Sequence, residues 1–172
     1  MNLLSNDFEI FGVPVQFALD RAALDERWKD LQREAHPDRF TTASALAQRQ
    51  AMQWSVRINE AYQRLKDPLK RAAYLCELNG APIQAENNTA MPSAFLMQQM
   101  QWREDLEEAS GAADLEHMAE DVAQTRRNML LSLQRTADED HNFLELARQV
   151  RALMFVERFA RDVESRLDQL GQ

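Results

Sequence analysis

Apolar residues recur along most of this chain at three- and four-residue spacing, the signature of helices with one buried face. A short apolar run, Phe8–Phe11, is closed by Gly12 and Pro14. Asp20 then serves as an N-cap, and Leu19 with Leu24 fits a hydrophobic staple. Leu24, Trp28, Leu31 and Ala35 form the stripe of a helix that Pro37 ends, because the residue before proline avoids the α region. A loop is predicted over 36–42. Ala47, Ala51, Trp54, Ile58, Ala61 and Leu65 predict a second long helix over 44–66. The two stripes should face each other in an antiparallel hairpin. Asp67-Pro68 reads as N-cap and first helical residue of a short helix bearing Leu69, Ala73 and Cys76 on one face, ended by Gly80.

Residues 81–91 (APIQAENNTAM) have no period and read as a linker. Pro92 opens a helix whose stripe is Phe95, Gln99, Trp102, Leu106 and Ala109, ending near Gly111. No Gly or Pro follows until Gly171, so this stretch must hold two helices with a capped turn between them. Thr136-Ala-Asp-Glu139 fits a capping box, which predicts helices over 113–135 and 138–170. Asp138, Glu139 and Asp140 then suit the positive end of the last helix. Its core positions are Phe143, Leu146, Val150, Leu153, Ala160 and Leu167. The expectation is an all-α chain: a hairpin module over 1–80, a linker over 81–91 and a three-helix bundle over 92–172.

Composition agrees with this pattern. Four Gly and five Pro in 172 residues are too few for the tight turns of an all-β chain. One Cys allows no internal disulfide and no CxxC metal knuckle, which points to a reducing compartment. No apolar run is long enough to span a membrane, and the N-terminal stretch does not read as a signal peptide. The net charge is −8 and unevenly placed. Residues 1–80 carry 11 Lys/Arg and 11 Asp/Glu; residues 81–172 carry 9 Arg and 17 Asp/Glu. An acidic second half argues against nucleic acid and against an anionic membrane surface.

The candidate chemistry of the first half is His36-Pro37-Asp38, a stiff corner with two polar groups between antiparallel helices. Alone, the tripeptide is a helix stop with an Asx turn. Around it stand Arg27, Lys29, Arg33 and Arg39, and then Ile58, Asn59, Glu60, Ala61, Tyr62, Leu65, Asp67, Pro68, Arg71 and Tyr74. Together these resemble the J domain of DnaJ-type co-chaperones over residues 7–76. The resemblance implies that His36, Pro37 and Asp38, helped by Arg27, Lys29, Arg33 and Arg39, dock on a DnaK-type chaperone and stimulate its ATPase. Asp30 and Glu34 interrupt the basic helix and weaken its field. No Gly/Phe-rich segment and no paired CxxC motifs follow, unlike a full-length DnaJ. A J-domain co-chaperone for a different client is one rival reading; a histidine acid–base pair at His36 and Asp38, or a phosphorelay at His117, is the rival from another class. His141 reads as turn chemistry, Cys76 as a buried small hydrophobe, and Trp28 and Trp54 as core.

In the bundle, Leu96, Met97 and Met100 fall off the core stripe of their helix, on the side of Glu104 and Glu108, with Gln101 at the border. An apolar patch rimmed by carboxylates looks like a protein-binding face, and methionine suits an adaptable one. Packing against a neighbouring helix or module is the structural alternative. Phe155 lies roughly opposite Leu146 on the last helix, out of register, and either completes the patch or fills an interface. Asp7-Phe8, Phe11-Gly12, Ala94–Met97, Met100, Arg103-Glu104 and Leu106–Glu108 resemble the HscB family, the J-type co-chaperones of iron–sulfur cluster assembly. That resemblance implies a non-enzymatic cytoplasmic co-chaperone that binds the cluster scaffold IscU and delivers it to the chaperone HscA. It implies no metal and no cofactor, since the cysteines of zinc-bearing members are missing. Leu96, Met97, Met100, Gln101, Glu104, Glu108 and Phe155 match its scaffold-binding positions. Gln101 stands where an acidic residue is usual.

Overall fold

Asn6 accepts the amide of Glu9 and starts α1 (Asp7–Phe11), the first of seven α-helices among the described residues of a computed structural model of the chain. The structure describes residues 2–40, 42–84 and 91–171. It divides into two units, Met1–Leu75 and Cys76–Gln172, and the division falls inside α4 (Pro68–Leu78). Most of the linker predicted over 81–91 lies outside the described residues.

In the first unit, Gly12 takes φ +66° at the end of α1, a left-handed cap conformation that glycine adopts without a Cβ penalty. α2 (Arg21–Ala35) is capped by Asp20, whose side chain accepts the Ala23 amide, as the sequence predicts. α3 (Ala45–Lys66) is capped in the same way by Ser44. The two helices form the expected antiparallel hairpin. Ser55 donates to Gln32 across it at 2.8 Å, Trp28 stacks on Tyr62 at 4.6 Å, and Tyr62 donates to Asp25 at 2.7 Å. The Arg21 guanidinium and, after it, the Tyr62 hydroxyl hold the Asp25 carboxyl below its ordinary pKa. Asp67 caps α4 by accepting the Leu69 amide, with Pro68 at the first helical position. The buried side of α4 differs from the predicted one. Ala72, Leu75 and Cys76 are buried, while Leu69 and Ala73 are half-exposed. Arg71 and Tyr74 cause the rotation, because both turn inward. Arg71 donates to the Phe17 and Leu65 carbonyls at 2.7 and 2.6 Å, and Tyr74 stacks on Phe8 at 5.8 Å.

The second unit holds α5 (Ser93–Glu108), α6 (Ala112–Asp138) and α7 (Phe143–Leu170). α6 and α7 are antiparallel, tied by Arg126 to Glu157 at 2.9 Å. α5 runs parallel to α7: Trp102 stacks on Phe159 at 5.1 Å, and Arg166 donates to the Leu106 carbonyl at 3.1 Å. The capping box predicted at Thr136–Glu139 is not where α7 begins. Thr136 is buried inside α6 and its hydroxyl donates to the Ser132 carbonyl, while α6 continues to Asp138. The cap is Asn142, which accepts the Glu145 amide at 3.1 Å. His141, at φ +49°, supplies the turn between the helices. Asp138, Glu139 and Asp140 therefore end α6, at a negative helix terminus. Asn142-x-x-Glu145 was the usable signal, starting six residues after Thr136.

α7 is buried on more than one side. Leu146, Val150 and Leu153 lie on one arc, and Val156, Phe159 and Val163 on another. Its first half meets Cys76 and Ile83: the Cys76 thiol donates to the Phe143 carbonyl at 3.8 Å, and Arg151 donates to the Ile83 carbonyl at 2.8 Å. Its second half meets α5. The predicted single stripe captured the α6 side and missed this second contact face. Burial pushes the Cys76 thiol up to about 11, so it stays a neutral, apolar thiol near neutral pH.

Candidate functional site

His36 caps the C-terminal end of α2 in extended conformation (ψ 131°), the geometry that a following proline imposes. The chain then makes one turn of 3-10 helix, Pro37–Phe40, inside the segment predicted as a loop. Arg39 N–H donates to the His36 carbonyl at 3.0 Å and closes the turn. Asp38 N–H donates to His36 Nδ1 at 3.2 Å, and the Asp38 carboxylate lies 3.5 Å from the same nitrogen. A neutral imidazole that accepts at Nδ1 carries its proton on Nε2. The turn thus offers solvent an N–H donor and a carboxylate side by side. The Asp38 side chain is 86% exposed and that of His36 54%.

The predicted docking charges are only partly brought together. At about 100° per residue, Lys29 and Arg33 lie about 40° apart, opposite the buried stripe, whereas Arg27 lies about 120° from Arg33. Arg27 is half-buried. Lys29 and Arg33 are exposed and paired within the helix, to Glu26 at 3.6 Å and Asp30 at 3.5 Å. Such pairs are worth about 1 kcal/mol or less, so an acidic partner can take either cation at little cost. Arg39 is exposed beside the turn.

On α5, Leu96, Met97 and Met100 are 47, 69 and 63% exposed. Glu104, Glu108 and Gln101 are exposed with them. Phe95, Trp102 and Leu106 face α7, so the expected core stripe holds. Phe155 is half-buried and meets α5 edge-to-face at Phe95, 6.4 Å between ring centroids. Its apparent loss of register follows from the two-sided burial of α7. Elsewhere, His117 is exposed and pairs with Asp121 one turn away at 3.6 Å. A groove of about 870 Å³ in the first unit is lined mainly by apolar groups of α2 and α3, among them Leu31, Ala51, Trp54 and Ile58. Among the described residues no group of three or more His, Cys, Asp or Glu could hold a metal ion, and no helix is long and apolar enough to cross a membrane.

A helical hairpin with a His-Pro-Asp turn, followed by a helical unit, is the architecture of a J-domain co-chaperone. The comparisons with known proteins carry this to one family. Residues 91–164 match the family model described as HSCB C-terminal oligomerisation domain. The chain is 47% identical over 157 residues to a co-chaperone protein HscB homolog of Bordetella petrii, covering 91% of this chain and 92% of that one. It is 45% identical over 172 residues to the homolog of Burkholderia multivorans, covering 99 and 98%. The solved structure of chaperone HscB from Vibrio cholerae superposes with a TM-score of 0.82 at 39% identity, covering 96% of this chain and 99% of that one. The crystal structure of human co-chaperone protein HscB shares the fold, with a TM-score of 0.90 at 24% identity, covering 96 and 84%. The chain belongs to the HscB family of co-chaperones.

Asp7, which carries part of the family resemblance, also holds the first unit together. Asp7 is fully buried, with its carboxylate against Arg57 at 2.9 Å and against Arg64. Its backbone N–H donates to the Tyr74 hydroxyl at 3.0 Å. Arg57 also donates to the Leu3 and Ser5 carbonyls, tying the N-terminal segment to α3. A carboxylate at the start of a short apolar helix, with Arg57 and Arg64 two turns apart on α3, was the available signal.

Proposed function

We propose that this protein is a cytoplasmic co-chaperone of iron–sulfur cluster assembly that binds the scaffold IscU and brings it to the DnaK-type chaperone HscA, whose ATPase it stimulates. The protein itself does no chemistry. Its first module, residues 1–80, engages the chaperone through His36, Pro37 and Asp38, with Lys29, Arg33 and Arg39 as nearby charges and Arg27 at the flank. Its second, residues 92–172, holds the scaffold on the face of Leu96, Met97, Met100, Gln101, Glu104 and Glu108, with Phe155 behind Phe95. The supporting observation is the exposure of three large apolar side chains in adjacent turns of a helix whose opposite side packs on α7. Such a patch is unfavourable in water unless a partner covers it. Joining the two sites in one chain raises the effective concentration of scaffold at the chaperone.

Replacing Leu96 and Met100 by alanine tests the scaffold face. Both are exposed, so helicity by circular dichroism and the melting temperature should not change. Affinity for IscU by titration calorimetry should fall roughly tenfold or more, as for truncated interface anchors worth above about 1 kcal/mol. Wild-type affinity in that variant would remove this face from the interface.

A further inference from the structure

The outer side of α3 has no part in either docking site. At about 100° per residue, Arg49, Met52, Gln53, Val56 and Glu60 fall within an arc of about 100°. That arc lies opposite the buried Ala51, Ile58 and Leu65. All five side chains are exposed, Met52 to 58% and Val56 to 55%. With Leu3 beside them they line a groove of about 540 Å³. The charges at the two ends of the stripe have no counter-charge in their own chain. Arg49 has no acidic residue three or four positions away on either side. Glu60 has Arg57 and Arg64 at those distances, but Asp7 holds both. Among the described contacts neither Arg49 nor Glu60 has an ion-pair or side-chain hydrogen-bond partner. A cation at one end, a carboxylate at the other and apolar residues between make the stripe complementary to itself run in reverse, which is what a two-fold interface requires. With the axis level with the Trp54–Ser55 bond, antiparallel packing brings Arg49 of each copy level with Glu60 of the other, and Met52 of each beside Val56 of the other.

We infer that this protein self-associates as a weak two-fold dimer in which the α3 stripe of one copy covers that of a second, closed at both ends by Arg49–Glu60 ion pairs. The contact uses none of the residues assigned to the chaperone or to the scaffold. Sedimentation equilibrium of the full chain tests it. About three helical turns per copy bury less than the roughly 1,200 Å² of a stable interface, so wild type should pass from one chain toward two between about 10 µM and about 1 mM. Val56→Glu puts a charge into the seam and should stay monomeric throughout, with unchanged helicity because the position is exposed. Arg49→Glu alone and Glu60→Arg alone set like charges against each other at both ends, and each should weaken association roughly tenfold or more. Mixed in equal amounts, these two variants should associate as wild type does, because each end of a mixed dimer again joins opposite charges. A wild type that stays monomeric at about 1 mM overturns the inference. So does wild-type association by Val56→Glu or by either charge variant alone, or a mixture that associates no better than its components.

Discussion

His36→Gln is expected to abolish stimulation of the partner chaperone's ATPase and to leave scaffold binding unchanged. The reason lies in the geometry of the turn. Nδ1 of His36 accepts the Asp38 amide, which fixes the ring and leaves Nε2–H as a donor beside the exposed Asp38 carboxylate. Glutamine carries its acceptor and donor on a flexible stem without a ring, so it does not hold a donor rigidly at the position of Nε2. A lost contact to a charged partner group costs about 1.5–3 kcal/mol, a ten- to hundredfold loss in the population of the stimulated complex. His36 is exposed and lies outside the core, so the variant keeps its fold, and a substitution of this kind shifts stability by about 0.5 kcal/mol or less. A steady-state ATPase assay at saturating scaffold reads the effect directly. Asp38→Asn should fail in the same assay, since it removes the charge and keeps the shape.

Asp7→Asn should be the most damaging conservative change to the first unit. The wild-type carboxylate is fully buried and meets two guanidinium groups; the Arg57 side chain is 15% exposed and that of Arg64 38%. Removing one partner of a buried pair strands the other charge, at about 3–5 kcal/mol. The partial exposure of Arg64 reduces this to about 2–4 kcal/mol. For a unit of this size that is a fall in melting temperature of more than about ten degrees. The unit carrying the His-Pro-Asp turn should melt first, followed by near-ultraviolet circular dichroism from Trp28, Trp54, Tyr62 and Tyr74. A shift of a degree or two would show that the Arg57–Asp7–Arg64 contacts are dispensable.

The sequence motif that suggested a J domain divides into two kinds of residue. Tyr62, Leu65, Asp67, Arg71 and Tyr74 are architecture. Tyr62 stacks on Trp28, Asp67 caps α4, Arg71 clasps two carbonyls, and Tyr74 receives the Asp7 amide. His36, Asp38, Lys29, Arg33 and Arg39 face outward, as do Asn59 and Glu60 of α3. Helix stripes were legible because each helix of the first unit except α4 buries a face that period alone defines. Caps at Asp20 and Asp67 were legible because they are local. The start of α7 was not, since Thr136-x-x-Glu139 and Asn142-x-x-Glu145 offer the same local signal, and packing chose between them. The second face of α7, with Phe155, and the Asp7 cluster were not legible because they depend on which elements meet. The apolar face of α5 was legible because its residues lie opposite a strong core stripe.

The central claim is that one chain couples scaffold capture to chaperone stimulation. The most direct measurement is the ATPase rate of HscA as IscU is titrated at fixed, subsaturating co-chaperone, with wild type and with Leu96→Ala plus Met100→Ala. Wild type should stimulate together with scaffold by far more than the product of either alone. The variant should keep its own stimulation, through His36 and Asp38, and lose the added effect of scaffold until IscU is raised roughly tenfold or more. Identical titration curves for the two proteins would contradict the coupling.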